Sequence, residues 1–528
     1  MAARHPAYLP RPRAVLIGAG RWRPGRDRHA VRHAAPAGRE RASGPRPRVV
    51  VVGAGIAGLA AATALAERDI GVVMLEQSPR LGGRVAAWPL PGGRTMSRGF
   101  HAFFRQYYNL RALLRRVDPA LERLVPIADY PLISADGGRD AFDRVPSMPP
   151  FNILGFVARS PSFRARDLIG VDVGAALELL RVRYPDSFSA YDGESAAEFL
   201  DRLRFPAAAR HLALEVFARS FFAPAEDFAA AELVAMFHSY FLGSSEGLLF
   251  DVPDDDYDAT LWAPLGRYLH GLGVEIRTGT SVVGIAPTAD EVMVETSAGV
   301  VVADAVVIAA DPAATRSLIA DSALGPESWR ERVAGTRNAP PFAVWRLWLD
   351  RPVRADRPAF LGTSGFGPLD NVSVLERFER GAATWAQRHH GSVVEVHAYA
   401  VSGADLAPGA DGRPLVRARL DDALHRVYPE VAAATVLDQE WLVQADCPLV
   451  DTSPWRLRPG VRTPEPRVLL AGDHVRCDLP VALMERAATT GFEAANALLA
   501  GWGRAGHDLW TVPMRGLLGP RSGRSRIG

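Results

Sequence analysis

Residues 49–84 read VVVVGAGIAGLAAATALAERDIGVVMLEQSPRLGGR, and no other stretch of the chain limits its fold so tightly. Four successive valines are apolar on both faces, as a strand buried in a parallel sheet must be. The chain then turns through Gly53, Gly55 and Gly58 into an Ala/Leu-rich helix. Gly53 permits the tight turn, Gly55 lets a pyrophosphate approach the backbone, and Gly58 lets helix and strand pack. Ala57 belongs to the same turn, where helix N-terminal amides face phosphate charge. A second apolar strand, Gly71 to Leu75, ends in Glu76 roughly 20 residues on, where a carboxylate can accept hydrogen bonds from ribose hydroxyls.

A lone Gly-x-Gly-x-x-Gly is weak evidence. Strand, glycines, helix, second strand and terminal acid in that order predict a Rossmann-like dinucleotide site. Residues 49–66 carry no charge and could be misread as a membrane span, but the glycine spacing and the partner strand favour a buried sheet. An acid at Glu76 suits a free ribose hydroxyl and argues against a 2′-phosphate, hence against NADP.

At 528 residues with 48% hydrophobic content, the chain can build more than one domain around a large core. Its net charge of +2 is the balance of 61 basic and 59 acidic residues, and every basic one is arginine. No basic stripe interleaved with aromatics is present, so nucleic acid is not an expected partner. Only Cys447 and Cys477 occur, without CxxC or histidine clusters. Neither a disulfide scaffold nor a structural metal site is expected, and a reducing compartment, the cytoplasm, is the default. Residues 1–47 are rich in Arg, Pro, Gly and Ala, hold no acid before Asp27, and are expected to be a disordered basic extension. Leu16 to Gly20 (LIGAG) mimics part of the fingerprint, but an arginine cluster follows it.

Downstream, period-2 patterning predicts strand from Val274 to Ile285, then a meander over Val292–Thr296 and Val300–Ala310 that returns to a parallel strand. The last apolar strand, Val468 to Ala471, leads through Gly472-Asp473 to a helical segment from about Pro480 to Leu499. The expected partition is a nucleotide-binding domain in three pieces (48–125, 266–320, 465–505), a second lobe in two (126–265, 321–464), and basic ends at 1–47 and 506–528. The aromatic-heavy run from Phe217 to Phe250 suits either a core or a lipid tunnel. Glu226, Asp227 and Glu232 interrupt it, so it cannot span a membrane.

This arrangement resembles the flavin amine-oxidase superfamily, whose members follow the fingerprint with the motif seen here as Leu81-Gly82-Gly83-Arg84. The run from Ser97 to Leu110 resembles the GxHxFFxxYxN signature of carotenoid desaturases through Gly99, His101, Phe103, Phe104, Tyr107 and Asn109. The runs RGFHAFFRQYYNLRALLRR, SYFLGSSEGLLFDVP and GDHVRCDLPVALMERAATTGFEAAN are similar to those of the isorenieratene synthase type of carotenoid β-ring desaturase/methyltransferase, over about residues 48 to 510. Two positions depart from the plant-type desaturases. Ser97-Arg98 stands where they place an acid, and Arg105 where they have glycine.

The resemblance implies an α/β fold: a discontinuous Rossmann-like FAD-binding domain with an inserted α+β substrate domain. It implies FAD as cofactor, with Gly83 and Arg84 by the pyrophosphate, Val282 contacting adenine, Gly472 and Asp473 at the ribityl or phosphate region, and Met484 near the flavin ring. The implied reaction takes hydride from the β-ionone ring of a carotenoid, moves a methyl group within the ring and leaves it aromatic. His101 is the first candidate for the base and Glu246 the second; Phe103, Phe104, Tyr107 and Tyr108 are candidates to line the substrate and stabilise cationic charge. The expected partners are a carotenoid, a membrane surface met peripherally from the cytoplasm, and an electron acceptor such as a quinone or oxygen. A phytoene or ζ-carotene desaturase, a polyene isomerase and a non-catalytic lipid escort of the same fold are the alternatives.

Overall fold

The computed structural model describes residues 27–40, 46–127, 129–141, 145–146, 148–152, 155, 172, 174, 177–204, 221–409 and 412–518. Leu16–Gly20, most of the basic extension, residues 217–220 of the aromatic run and the tail from 519 lie outside the described residues.

The valine run forms Arg48–Val52 at the centre of a five-stranded parallel sheet, ordered Glu275–Arg277, Gly71–Leu75, Arg48–Val52, Ala305–Ile308, Val468–Leu470. Side chains alternate across it, so Val49 and Val51 face one layer and Val50 and Val52 the other. On the first side, Val49 and Val51 pack with the helix Ile56–Ala66, which is buried at every residue, and with the closing helix Leu483–Gly501. On the second, Val50 and Val52 pack against Ile285, Val292 and Val294 of an antiparallel meander, Val282–Pro287, Val292–Thr296 and Gly299–Ala303. Parallel strands covered on both faces must be apolar throughout, which is why neither Arg48–Val52 nor Ala305–Ile308 alternates.

A second, seven-stranded sheet runs Val436–Gln444, Phe342–Leu349, Ser392–Ala398, Asn371–Val374, Phe360–Ser364, Leu132–Ser134, Arg139–Asp140. Its outer face carries Ala343, Trp345, Leu347, Val394 and Val396 against the helix Leu415–Val427. The opposite face, carrying Arg346, Glu395 and His397, looks inward.

Three local expectations are corrected. The stretch 274–285 is two strands in different sheets, Glu275–Arg277 and Val282–Pro287, because the segment at Gly279 breaks the run. The closing helix begins at Leu483 rather than Pro480, after an extended Ala482. The basic extension 1–47 is not disordered throughout: Val31–His33 pairs antiparallel with Leu509–Thr511. Asp27, wholly buried, accepts a 2.7 Å hydrogen bond from Tyr108 Oη, which ties the early segment to the body.

Candidate functional site

Where Arg48–Val52 ends, the chain turns at Gly53 with φ +99°, a conformation that strains any residue with a Cβ. Helix and strand meet so closely that a Cβ on Gly58 would lie 2.0 Å from the Gly53 carbonyl oxygen. At Gly55 the result is the reverse: a Cβ would meet only Gly83 Cα, at 3.9 Å, because the space beside it belongs to a cavity of about 590 Å³. The first turn of Ile56–Ala66 carries no acidic side chain, which leaves its positive end open to an anion. Glu76 lies at the rim and holds the turn in shape, accepting from Ala54 N at 2.7 Å and Ser78 N at 2.8 Å.

The Leu81–Arg84 segment packs onto this turn, with Gly82 N donating to Ala54 O at 2.8 Å. Arg84 forms a two-pronged ion pair with Asp473, 389 residues away, at 2.8 and 2.5 Å. Burial works to raise the Asp473 carboxyl, but the adjacent guanidinium outweighs it and holds the group below the usual carboxylate range. Gly53, Gly55, Ala57, Glu76, Gly83, Arg84, Val282, Gly472, Asp473 and Met484 all line the one cavity. Gly58 does not reach it and acts in packing.

The far wall is aromatic. Phe100 lies 4.4 Å from Phe360 and 6.0 Å from Phe250, Phe104 lies 5.3 Å from Phe250, and Tyr130 lies 4.8 Å from Phe250. His101 and Tyr107 also line the cavity. The His101 ring nitrogen Nδ1 sits 2.8 Å from the Gly99 carbonyl, which assigns the hydrogen to Nδ1 and leaves Nε2 as the acceptor nitrogen. Burial pushes this histidine down to about 4, so it is neutral near pH 7. The Tyr257 hydroxyl braces the same segment, accepting from His101 N at 3.0 Å and donating to Gly99 O at 2.9 Å.

Several expected residues lie elsewhere. Phe103 and Phe104 form a two-residue strand, and alternation turns Phe104 to the cavity and Phe103, fully buried, into the core. Tyr108 turns away to Asp27, Trp510 and Val512, and Glu246 does not line the cavity. The aromatic run is divided: Phe222 and Phe250 face the cavity, whereas Phe221, Phe228 and Phe241 are core. Among the described residues there is no helix long and apolar enough to cross a membrane and no cluster of metal ligands.

Sequence patterning did not reveal several pairings in and around this site. Arg98, one of the two departures, pairs with Asp446 at 2.7 Å at the cavity wall; Arg105, the other, pairs with Asp251 at 2.9 Å. Glu485, beside Met484 on the closing helix, accepts from Asn109 N and Leu110 N at 2.8 and 2.9 Å and so ties that helix to the His101 segment. Glu232, buried, pairs with Arg486 at 2.7 Å one residue further on.

A profile described as flavin containing amine oxidoreductase matches residues 56–499. The chain belongs to this family. It is a flavoenzyme, an oxidoreductase with FAD as cofactor, and the cradle described above fits a dinucleotide: open at Gly55, bordered by the Arg84–Asp473 pair and free of acids at the helix end. The chain is similar to the carotenoid phi-ring synthase of Streptomyces griseus, 56% identical over 511 residues, 96% of each chain. It is also similar to the carotenoid phi-ring synthase of Chlorobaculum tepidum, 28% identical over 585 residues, covering 88% of this chain and 90% of that one. Among solved structures, wild-type putrescine oxidase bound to putrescine superposes with a TM-score of 0.63 at 16% identity, over 86% of this chain and 99% of the other. That likeness speaks to the fold alone, which is the discontinuous Rossmann-like FAD domain with an inserted α+β domain.

Proposed function

We propose that this flavoenzyme aromatises the β-ionone ring of β-carotene or γ-carotene, removing hydrogen and moving one methyl group within the ring to give an isorenieratene-type end group. The observation that carries the reading is the single cavity joining the phosphate cradle to an aromatic wall of Phe100, Phe104, Phe250 and Phe360. The names of the two phi-ring synthase relatives support it. Bound FAD supplies the oxidant that accepts hydride from the ring.

In this reading Gly53, Gly55 and Ala57 hold the pyrophosphate through backbone amides, Glu76 takes the ribose, Val282 the adenine, and Gly83, Arg84, Gly472 and Asp473 the phosphate and ribityl region. Met484 borders the flavin ring. Loss of hydride leaves a ring cation. Aromatic faces stabilise such a charge by roughly 0.5 to 2 kcal/mol each without attacking it, the role assigned to Phe104 and Tyr107. Migration of the methyl group from the neighbouring carbon needs no external donor. A proton then leaves, and His101 accepts one through Nε2. A histidine near 4 is a weak base, yet it suffices, because a C–H bond beside a cationic carbon is strongly acidic. A second dehydrogenation completes the aromatic ring. The carotenoid reaches the cavity from a membrane surface that the protein meets peripherally on the cytoplasmic side, and a quinone or oxygen reoxidises the flavin.

The test is direct. Purified protein in detergent or liposomes, showing a flavin spectrum, is given β-carotene, and products are separated and weighed. An aromatic-ring carotenoid is expected. Linear desaturation products instead, or flavin bleaching only by a soluble amine, would overturn the reading.

A further inference from the structure

We propose that Tyr399, backed by His397 and Glu395, is a second proton acceptor for the ring, with Tyr399 touching the substrate and the other two acting through it. The inference rests on the ring-aromatising reading, in which two protons leave each ring; His101 accounts for one.

Positions 395, 397 and 399 alternate along the strand Ser392–Ala398 and its exit, so their side chains share the inward face. His397 and Tyr399 both line the cavity. The His397 nitrogen Nε2 lies 2.9 Å from Glu395 Oε1, and Nδ1 lies 2.7 Å from Tyr399 Oη. Arg346 clamps Glu395 from the other side, through Nε at 2.8 Å and Nη2 at 2.6 Å. Burial alone would raise the Glu395 carboxyl, but Arg346 and His397 outweigh it and hold it near about 2, so it is an anion.

An anionic Glu395 fixes the tautomer. Nε2 carries the hydrogen and donates to Glu395, leaving Nδ1 to accept from the Tyr399 hydroxyl. The Phe100 N–H also points at Nε2, at 3.3 Å, and on its own would favour an acceptor there; the shorter 2.9 Å contact with the Glu395 anion outweighs it. The arrangement is an acid–histidine pair with a phenol in front of it, aimed into an apolar chamber.

A second observation points the same way. Asn371 donates to Tyr399 Oη at 3.0 Å, while its own Oδ1, also buried, has no partner among the described residues, and the residue lines the cavity. The Tyr399 ring packs edge-on against Phe222 at 4.8 Å, and Phe222 also borders a small adjoining cavity formed with Arg84, Asp473 and Leu483. The phenol is therefore set beside the flavin end of the chamber rather than at a remote wall.

The step balances as follows. In the ring cation left by hydride loss, a C–H bond next to the cationic carbon breaks and its electron pair becomes a ring double bond. The proton forms a new O–H bond at Tyr399 as the original hydroxyl proton passes to His397 Nδ1. The ring loses its positive charge and His397 gains it, against the Glu395 carboxylate. Water entering the emptied cavity removes that proton before the next turnover.

The test uses the FAD-loaded enzyme and its Tyr399→Phe and His397→Gln variants with β-carotene in liposomes, reading anaerobic flavin bleaching and carotenoid products together. Tyr399→Phe keeps the packing on Phe222 and removes only the hydroxyl, so flavin content should match the parent. Aromatic product is expected to fall about ten-fold or more in both variants, while the first bleaching stays within about three-fold and non-aromatic oxidised carotenoids accumulate. Aromatic product from Tyr399→Phe at the parent's rate overturns the relay and leaves the ring reading intact. Loss of bleaching and product in equal proportion also overturns it, since the hydroxyl would then serve binding or hydride removal. A parent enzyme whose flavin bleaches with β-carotene but which yields no aromatic carotenoid overturns both.

Discussion

The two ends of the cavity are built on different principles. The end proposed to seat the flavin is made of backbone: the turn at Gly53, the amides of Ile56–Ala66 and the Gly82–Gly83 segment leave a cradle with one ion pair, Arg84–Asp473, at its edge. The substrate end is made of side chains from separate strands, with Phe100, Phe250 and Phe360 enclosing a volume and the buried Arg346–Glu395–His397 cluster behind it. A backbone cradle binds a group that every family member shares. A side-chain wall can be rebuilt for another substrate without disturbing that cradle, so one fold can serve different substrates.

The sharpest way to break this comparison is to remove one charge from each end. Glu395→Ala strands Arg346, whose side chain is 2% exposed, and should cost about 3–5 kcal/mol in denaturant unfolding. An effect below 1 kcal/mol would mean that water reaches the pair. Phe103→Ala should cost a similar ~3–5 kcal/mol, because it empties a core position, while the flavin that remains bound in folded protein still turns over. Phe104→Ala, its neighbour on the cavity side, should be milder in stability and harsher on KM. Equal behaviour of the two would contradict the alternation. Asp473→Ala should act less on folding, since the Arg84 side chain is 27% exposed and Asp446 also stabilises its charge. Its effect should appear as FAD affinity weakened about ten-fold or more, some 1.4 kcal/mol, in a flavin fluorescence titration.

The flavin end was legible in the sequence for the reason that makes it a cradle. Turn, glycines and strand ends lie within one stretch, 49–84, and backbone geometry is a local property. What that stretch could not reveal was the partner of Arg84, because Asp473 arrives only with the last parallel strand. The substrate end was legible only in fragments. Phe103 and Phe104 could not be told apart until the two-residue strand set their faces, and Phe100, next to His101, carried no signal of its own. The charged cluster was hidden further. Glu395 and His397 sit in the run SVVEVHA, where local pattern alone cannot tell a solvated polar face from a covered one; that face is inside because the segment from Thr95 to Phe100 packs on it. The paired ends were missed because Val31–His33 is too short to show periodicity, and its partner at Leu509–Thr511 lies at the other end of the chain.

The last prediction concerns Glu485, where the two ends are joined, and is read as a slope against pH rather than as a loss at one pH. It anchors the amides of Asn109 and Leu110 from the closing helix, and burial pushes its carboxyl up to about 8 against the downward pull of those two bonds. Its reference value is 4.5, so between about pH 4.5 and 8 the folded state holds a proton that the unfolded state releases. Stability from this group is therefore present at low pH and is lost as pH rises through that window, by up to about 1.4 kcal/mol per pH unit. His101, His238, His474 and His507 act in the opposite sense. Burial lowers each to about 4 from 6.5, so the unfolded chain binds more protons below 6.5 and stability is lost on acidification from there. Unfolding free energy should thus pass through a maximum near neutrality. Glu485→Gln mimics the protonated acid and should match the parent near pH 4.5, flatten the fall on the alkaline side and steepen the rise between about pH 4.5 and 6.5, where Glu485 opposes the histidines. A variant that is less stable at pH 7 with an unchanged slope would mean that Glu485 is ionised and that the two amides, not burial, set its charge.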